Sequence, residues 1–336
     1  KFARALSGQI AGALRGGLDV ALVSSGAIGA GIAELDLPAR PGTLPLLQAT
    51  AAVGQGQLMR TFHDAFARFG VKVAQILLTR DDFQDRTRYL NIRNTIAALA
   101  DCHALPVINE NDTVSVDEIR FGDNDQIAAL VANMIDADLL VLLTDVEGYI
   151  GRGRLLGRLD RIDEAVLAGA GGAGPRGMGG MRSKLTAATM VTGAGAAVVI
   201  AKARTPDVLT RLLGGEELGT LCLPAKRRLS ARRRWIGHAA RTVGKLFVDA
   251  GAADALSKRG KSLLPSGVCD LSGKFAKGAN VAIIGPDGRQ IARGLTNYSS
   301  EQIRRIVGLK SSRIAQVLGD KPYDEVVHRN NMALSP

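Results

Sequence analysis

Two clusters of amide and carboxylate side chains stand near the middle of the chain. Asn109–Asp112 (NEND) follows an apolar run, and Gly122–Asp125 (GDND) precedes a helical pattern. These residue types also cap helices and form turns, which is a sufficient explanation for Asp123 or Asn124 taken alone. Two such clusters so close in the sequence also fit a site for a zwitterion, where a carboxylate pairs with an ammonium group and amides donate to a carboxylate.

Two glycine-containing segments could present backbone amides to an anion. Ser24–Gly31 (SSGAIGAG) follows an apolar run, and Gly177–Lys184 (GMGGMRSK) leads into a helical pattern. Amides at a helix start favour a negative charge, and glycine amides with one lysine suit a polyphosphate during phosphoryl transfer. A tight connection explains the first segment equally well, and a surface lysine explains the second. Neither segment is a Walker loop or a clean G-x-G-x-x-G motif after a strand.

A third candidate is the pair Thr144 and Asp145, which follows the most apolar run of the chain. A hydroxyl and a carboxylate at a strand end could hold a nucleotide or cap a turn.

The elements that must position these residues alternate between apolar runs and helical patterns. This alternation predicts an α/β fold with a mainly parallel sheet covered by helices. We predict strands at 18–24, 71–78, 105–108, 139–143 and 197–201, and helices at 88–99, 125–134 and 181–193. Ligands of such sheets bind outside the carboxyl ends of the strands, where the candidate loops lie.

The last third of the chain has a different composition. Residues 226–336 contain 21 Lys and Arg against 8 Asp and Glu, although the whole chain of 336 residues has a net charge of only +11. This excess is an electrostatic footprint that fits a polyanion such as RNA, and a solvated basic surface explains it equally well.

Short strand patterns in this third predict a small β-rich domain. They lie at 245–248, 281–284 and 290–295, and the last two are separated by a Gly-Pro-Asp-Gly turn, as in a β-hairpin. We therefore expect a first domain over 1–225, a basic linker over 226–239 and a second domain over 240–330.

Several function classes are disfavoured by what the chain lacks. The cysteines Cys102, Cys222 and Cys269 are too far apart for a metal or redox motif, which favours a reducing cytoplasm, and the four histidines show no metal spacing. No apolar run approaches the ~20 residues of a membrane span. The chain opens inside a helical pattern without a signal peptide, so we expect an N-terminal piece to precede it.

The ordered motifs VSSGAIGAG, PVINENDTV, FGDNDQIAALVA, LLTDVEGY and GMGGMRSKLTAA resemble those of the amino acid kinase family, in particular its glutamate-phosphorylating members. The segments RGKSLLPSGV, GKFAKGANVAI and ARGLTNYSS resemble a PUA domain. The resemblance covers nearly the whole chain. It implies a three-layer αβα sandwich with a mainly parallel sheet, followed by a small β-rich PUA domain.

The activity that the resemblance implies is ATP- and Mg²⁺-dependent phosphorylation of the γ-carboxylate of L-glutamate, the first step of proline biosynthesis. A carboxylate is already a nucleophile at neutral pH, so catalysis reduces to alignment and charge neutralisation. The further expectations are a cytoplasmic homo-oligomer and proline as a feedback inhibitor. The resemblance leaves two tasks open for the PUA domain: binding RNA, or packing on the kinase core, where it would tune the response to effectors such as proline or support oligomer contacts.

The resemblance also assigns roles to individual residues. Lys184 and Asp125 match catalytic positions, with the aspartate organising catalytic lysines. The glutamate-binding positions are Ser25, Gly26, Ala27, Asn109, Asp112 and Asn124. The ATP-binding positions are Thr144, Asp145, Met178, Gly179, Gly180, Met181, Arg182, Ser183 and Lys184. No protein metal site is implied.

Two departures from the family pattern lie at the nucleotide. The family begins with a strand that carries a Lys-Gly-Ser/Thr signature, and no such segment precedes Lys1. The family also has a Thr/Asp-Pro-Arg hairpin where this chain reads Gly151–Arg154 (GRGR).

Two alternative functions stay open: an amino acid kinase acting on another carboxylate, such as aspartate or N-acetylglutamate, and an RNA-binding protein built on an inactive kinase core. The attached β-rich domain argues against the first.

Overall fold

The computed structural model describes residues 2–114, 124–151, 153–170, 180–225, 230, 233 and 235–335. It divides into two compact units, one of Lys1–Phe83 with Thr87–Arg228 and the other of Gln84–Arg86 with Leu229–Pro336. The predicted domain boundaries stay a prediction, because most of the basic run in the expected linker lies outside the described residues.

The first unit alternates helices and strands as the sequence predicts. Its helices are α1 (Phe2–Arg15), α2 (Ala27–Glu34), α3 (Leu44–Ala67), α4 (Arg80–Gln84), α5 (Arg86–Asp101), α6 (Asn124–Ile135), α7 (Glu164–Ala168), α8 (Met181–Ala194) and α9 (Val208–Leu213). Its strands are β1 (Leu22–Val23), β2 (Lys72–Leu78), β3 (Ala104–Glu110), β4 (Leu139–Thr144), β5 (Ile150–Gly151), β6 (Arg154–Leu155), β7 (Arg158–Leu159), β8 (Ala197–Lys202) and β9 (Thr220–Cys222).

The strands pair into two larger sheets and one hairpin. The first sheet has the order β1-β3-β2 and is parallel throughout, and the second has the order β4-β8-β9-β7 with only the β8–β9 pair antiparallel. The β5–β6 hairpin occupies the segment that departs from the family pattern. The predicted α/β fold with mainly parallel strands is confirmed.

One predicted strand is much shorter than expected. The 18–24 run predicted a full strand, but only Leu22–Val23 pair with β3. The amide of Leu18 still donates to the carbonyl of Ala13, and Gly17 has φ +82°, so the first part of the run completes the turn that ends α1. Local backbone hydrogen bonding at a helix end therefore overrides the apolar pattern there.

Helix α6 is buried along almost its whole length and fixes the centre of this unit. Its residues 127–134 are all buried, and it packs against α8, β1, β3 and β4. The facing part of α8 contributes Leu185, Ala187, Ala188 and Val191, each fully buried. Small side chains allow the two helices to approach closely, so the start of α6 and the start of α8 are held in a defined relation.

Glycines permit an equally close approach of α2 and α3. A Cβ atom added to Gly54 would lie 1.8 Å from the carbonyl oxygen of Ala27, and one added to Gly31 would lie 1.8 Å from that of Thr50. Because the obstructing atoms are backbone, neither contact can be relieved by a side-chain rotation. The turn before α2 is thereby anchored to α3.

We expect Gly54→Ala to lower the free energy of unfolding by about 1–3 kcal/mol, because the added methyl group forces α2 and α3 apart. Gly56→Ala is the matched control: it lies on the same helix, and its Cβ would meet no atom within 4 Å. That substitution should raise stability by up to about 1 kcal/mol through helix propensity. Urea denaturation of both variants measures the difference, and equal stabilities would contradict the close packing.

The second unit is a five-stranded sheet with short helices. Its strands are β10 (Thr242–Val248), β11 (Val268–Ser272), β12 (Asn280–Ile284), β13 (Gln290–Thr296) and β14 (Val327–Leu334), and its helices are α10 (Ala250–Ser257), α11 (Ser300–Ile306) and α12 (Ile314–Leu318). The order is β11-β10-β12-β13-β14, and only β10 and β12 are parallel. The predicted β12–β13 hairpin is present, and this unit has a core of its own.

Cys222 lies buried in β9, and burial raises the pKa of its thiol to about 11. Cys102 and Cys269 are exposed, and all three cysteines are free.

Within the described ranges, no helix has both the length and the apolar character that a membrane crossing requires.

Candidate functional site

The carboxyl ends of β1 and β3 bring the first candidate loop beside the second. The amide of Ser24 donates to the carbonyl of Ile108 at 2.8 Å, which continues the parallel pairing one residue beyond β1. Ser25 and Asn109 are the residues that come directly after this hydrogen-bonded pair, one on each segment. Gly26 then turns the chain with φ +109°, a conformation that strongly favours glycine, and Ala27 is buried at the start of α2.

Asn109 is buried at the end of β3, with 3% of its surface exposed. Its Nδ2 donates to Oε1 of Gln55 on α3 at a distance of 2.8 Å. The next strand supports this end of β3, because the amide of Asn111 donates to the carbonyl of Leu78. An amide side chain is thus held rigidly where the sequence predicts glutamate recognition.

Asp112 lies half-buried just after β3. Burial raises the pKa of its carboxyl, and the positive charge of Arg40 opposes that shift. A carboxylate that has lost part of its hydration is suited to pair with a substrate ammonium group, since the new ion pair replaces the lost water. This arrangement fits the predicted role of Asp112.

Asn124 and Asp125 open helix α6. Oδ1 of Asn124 is buried and has no hydrogen-bond partner among the described residues. Asp125 faces α8, and its Oδ2 accepts a hydrogen bond from Nζ of Lys184 at 2.9 Å. The helix that these two residues open packs against β1, β3 and β4.

The Asp125–Lys184 ion pair joins two helices across 59 positions of sequence. The two side chains are 15% and 12% exposed respectively, so the pair is shielded from most of the solvent. Lys184 lies in the first turn of α8, where its amide and that of Ser183 both donate to the carbonyl of Gly180. The ion pair therefore fixes the ammonium group of Lys184 beside the start of α8.

Thr144 and Asp145 form a separate group at the end of β4. Thr144 is 9% exposed and its Oγ1 donates to Oδ1 of Asp145 at 3.1 Å. Its carbonyl accepts from the amide of Ala203, which ties the end of β4 to the end of β8. Beside it, Nζ of Lys202 lies 3.5 Å from Oε1 of Glu147.

The remaining predicted nucleotide residues are described in part. Gly180 is the N-cap of α8, and Met181, Arg182 and Ser183 form its first turn, with Arg182 exposed. Met178 and Gly179 lie outside the described residues, as do Gly122 and Asp123 of the second cluster.

Helix α6 links the two groups of residues. It packs against β1 and β3, which lead into the predicted glutamate-binding residues Ser25 and Asp112, and against β4, which ends at Thr144. Its own first turn supplies Asp125. The candidate site thus has two groups of residues, and Asp125 of the ion pair stands on the helix that packs against the strands of both groups.

Three residues at this site were not predicted from the sequence: Gln55, Arg40 and Lys202. Gln55 stands in the segment AAVGQGQLM, where its flanking glycines were the available signal. Arg40 lies in the loop between α2 and α3, and Lys202 ends β8. Neither of the last two carries a local pattern that distinguishes it from a surface cation.

Comparison with known proteins identifies the family of each part of the chain. The model of the amino acid kinase family matches residues 3–202, and that of the PUA domain matches residues 244–318. The chain is 46% identical to the "Glutamate 5-kinase" of Geobacter sp. (strain M21), over 99% of this chain and 91% of the relative. It is 46% identical to the protein of that name from Caldanaerobacter subterraneus subsp. tengcongensis, over 97% and 90%, and 47% identical to that from Moorella thermoacetica, over 94% and 86%.

The resemblance found in the sequence motifs is therefore confirmed over nearly the full chain. Because the family model covers residues 3–202 and the similar proteins span nearly the whole chain, the chain belongs to the amino acid kinase family and carries a PUA domain.

Proposed function

We propose that this protein is a glutamate 5-kinase, which transfers the γ-phosphoryl group of ATP to the γ-carboxylate of L-glutamate and so begins proline biosynthesis. The observation that carries the proposal is the Asp125–Lys184 ion pair, whose aspartate stands on α6, the helix that packs both against β3, which leads into Asp112, and against β4, which ends at Thr144. The names of the similar proteins support the same reaction.

The glutamate end combines one anion with several donors. Asp112 pairs with the substrate ammonium group. The turn at Ser25 and Gly26 leads into α2, and the first backbone amides of a helix are free to donate to a carboxylate. Asn109 and Asn124 add amide side chains at the ends of β3 and at the start of α6.

The transfer step needs no general base, because the γ-carboxylate is ionised at neutral pH and attacks phosphorus directly. Negative charge gathers on the transferred group and on the leaving ADP. Lys184 supplies a positive charge to offset this negative charge, and Asp125 holds the ammonium group of Lys184 in place. A pre-oriented charge is most effective because it requires no rearrangement at the moment of reaction.

Magnesium enters this site most readily on the nucleotide. Among the described residues, no three His, Cys, Asp or Glu side chains come together to hold a metal. Mg²⁺ prefers substrate phosphates plus one or two carboxylates, and Asp145 at the nucleotide end is the carboxylate suited to join such a site. When bound, the ion would neutralise phosphate charge.

The competing substrates differ from glutamate in charge or in length, and both differences should weaken their binding at this site. N-acetylglutamate has no ammonium group, so it would leave the half-buried Asp112 carboxylate unpaired. Aspartate is one methylene shorter and cannot span the same distance from Asp112 to the transferred phosphoryl group. An RNA-binding protein on an inactive core has no support in the comparisons, and the intact ion pair favours an active enzyme.

A direct assay tests the substrate choice. We expect ADP release with ATP and Mg²⁺ to be at least about tenfold faster with L-glutamate than with L-aspartate or N-acetyl-L-glutamate at equal concentrations. The full chain is used, with ATP alone as the background. Equal rates with glutamate and aspartate, or no release above background, would contradict the proposal.

Other partners stay predictions. We propose that the protein works as a homo-oligomer in the cytoplasm, that proline inhibits it, and that any RNA bound is held by the basic PUA domain. RNA binding through that charge should weaken steeply as salt rises, because counterions are released from the phosphates.

A further inference from the structure

Two buried side-chain atoms in the described part of the first unit have no hydrogen-bond partner, Nε2 of Gln55 and Oδ1 of Asn124. Both lie at the candidate site. Buried polar groups are nearly always satisfied in folded proteins, so an unsatisfied one at a site indicates a ligand atom that completes it. One of these atoms is a donor and the other is an acceptor, as a zwitterionic ligand requires.

The amide group of Gln55 has a defined orientation. Its Oε1 accepts the hydrogen bond from Nδ2 of Asn109, and the NH₂ group is therefore directed away from Asn109. The backbone is equally fixed, since the preceding Gly54 packs directly against the carbonyl of Ala27 and the amide of Gly31. The segment of α3 that carries the donor is thus packed directly against α2.

The position of Gln55 indicates which carboxylate of the substrate it can reach. Asn109, which it contacts, is three residues from Asp112, the predicted partner of the substrate ammonium group. In an α-amino acid the ammonium group and the α-carboxylate are on the same carbon, so the carboxylate nearest to Asp112 is the α-carboxylate. The γ-carboxylate must instead reach the phosphoryl group near Lys184.

We propose that Gln55 binds the substrate directly, by donating a hydrogen bond from Nε2 to the α-carboxylate of the amino acid. The proposal rests on the glutamate kinase reaction proposed above and adds a recognition residue to it. In the free protein Gln55 supports Asn109, and with substrate bound its second polar atom is also satisfied.

Gln55→Glu separates these two roles. A glutamate side chain keeps an oxygen that accepts from Nδ2 of Asn109, but it replaces the NH₂ donor with an oxygen that repels a carboxylate. We expect the KM for L-glutamate to rise about tenfold or more, while the KM for ATP changes less than about twofold. Gln57→Glu is the control, since it adds the same charge to an exposed position of α3.

The comparison with Gln55→Met makes the result decisive. Methionine removes both the donor and the acceptor, so a purely structural role predicts a defect in Gln55→Met and nearly normal kinetics in Gln55→Glu. Substrate binding predicts a raised KM for glutamate in both variants. A Gln55→Glu enzyme with a KM within about twofold of the wild-type value would overturn the proposal.

A ligand without an α-carboxylate gives a second test that needs only Gln55→Met. 4-Aminobutanoate keeps the ammonium group and the reacting carboxylate of glutamate, and its inhibition constant can be measured in competition with glutamate. We expect Gln55→Met to weaken glutamate about tenfold and to leave 4-aminobutanoate unchanged within about twofold. Equal weakening of both ligands would count against the assignment. Failure of the wild-type protein to phosphorylate glutamate would instead overturn the proposed function.

Discussion

Lys184→Ala is expected to lower kcat for glutamate phosphorylation at least about 100-fold and to change the KM for glutamate much less. Nζ of Lys184 is held 2.9 Å from Oδ2 of Asp125 at the first turn of α8. Its charge is needed most when negative charge accumulates on the transferred phosphoryl group. Its removal therefore affects the transition state more than the bound substrate.

Steady-state kinetics on two further variants make this measurement specific. Lys72→Ala removes an exposed lysine at the start of β2, at the end of the strand away from the site, and should have wild-type kcat. Asp125→Asn keeps an oxygen that can accept from Lys184 but removes the negative charge, so its kcat should fall less than that of Lys184→Ala. A Lys184→Ala enzyme with nearly normal kcat would exclude the charge role assigned to this residue.

Asp112→Asn is expected to weaken glutamate binding by about 1–3 kcal/mol, or roughly 5- to 150-fold, because a charge-assisted hydrogen bond to the substrate ammonium group becomes a neutral one. The substitution preserves the size of the side chain. Calorimetric titration with L-glutamate gives the dissociation constant directly. An unchanged constant would remove Asp112 from the binding site.

The same variant should show an opposite effect on the stability of the free protein. Burial raises the pKa of Asp112, so the folded state holds this proton more tightly than the unfolded state does. The ionised carboxylate therefore destabilises the fold increasingly as the pH rises through the aspartate range, and the effect levels off above the folded-state pKa. Asp112→Asn should be at least as stable as the wild type at neutral pH, whereas general structural damage would lower stability and affinity together.

The fold was largely predictable because its signal is local. The buried strands β2, β3, β4 and β8 are short apolar runs of β-branched and aliphatic residues, and α6 reads as an apolar helix in the sequence. Strand β1 was overestimated, since its apolar run also contains the end of the turn after α1. The hydrophobic pattern alone does not show which residues of an apolar run form hydrogen bonds with a preceding helix end and so stay out of the strand.

The candidate residues predicted from the sequence stand where a loop follows a strand, as Asn109, Asp112 and Thr144 do, or where a helix begins, as Asn124 and Lys184 do. The parallel topology brings the strand ends to the same edges. Gln55 lies within a long helix, and nothing in its neighbourhood in the sequence indicates that it meets Asn109, 54 residues away. The partner of Lys184 is equally remote, so both contacts emerge only from packing of the completed fold.

In the proposed reaction the γ-carboxylate of glutamate receives the phosphoryl group. The most direct measurement is to incubate the full chain with L-glutamate, ATP, Mg²⁺ and hydroxylamine, which traps an acyl phosphate as a hydroxamate, and to identify the product by mass spectrometry. We expect γ-glutamyl hydroxamate in amounts equal to the ADP released, and none when glutamate or ATP is omitted. ADP release without hydroxamate, or a hydroxamate at the α-carboxylate, would contradict the account.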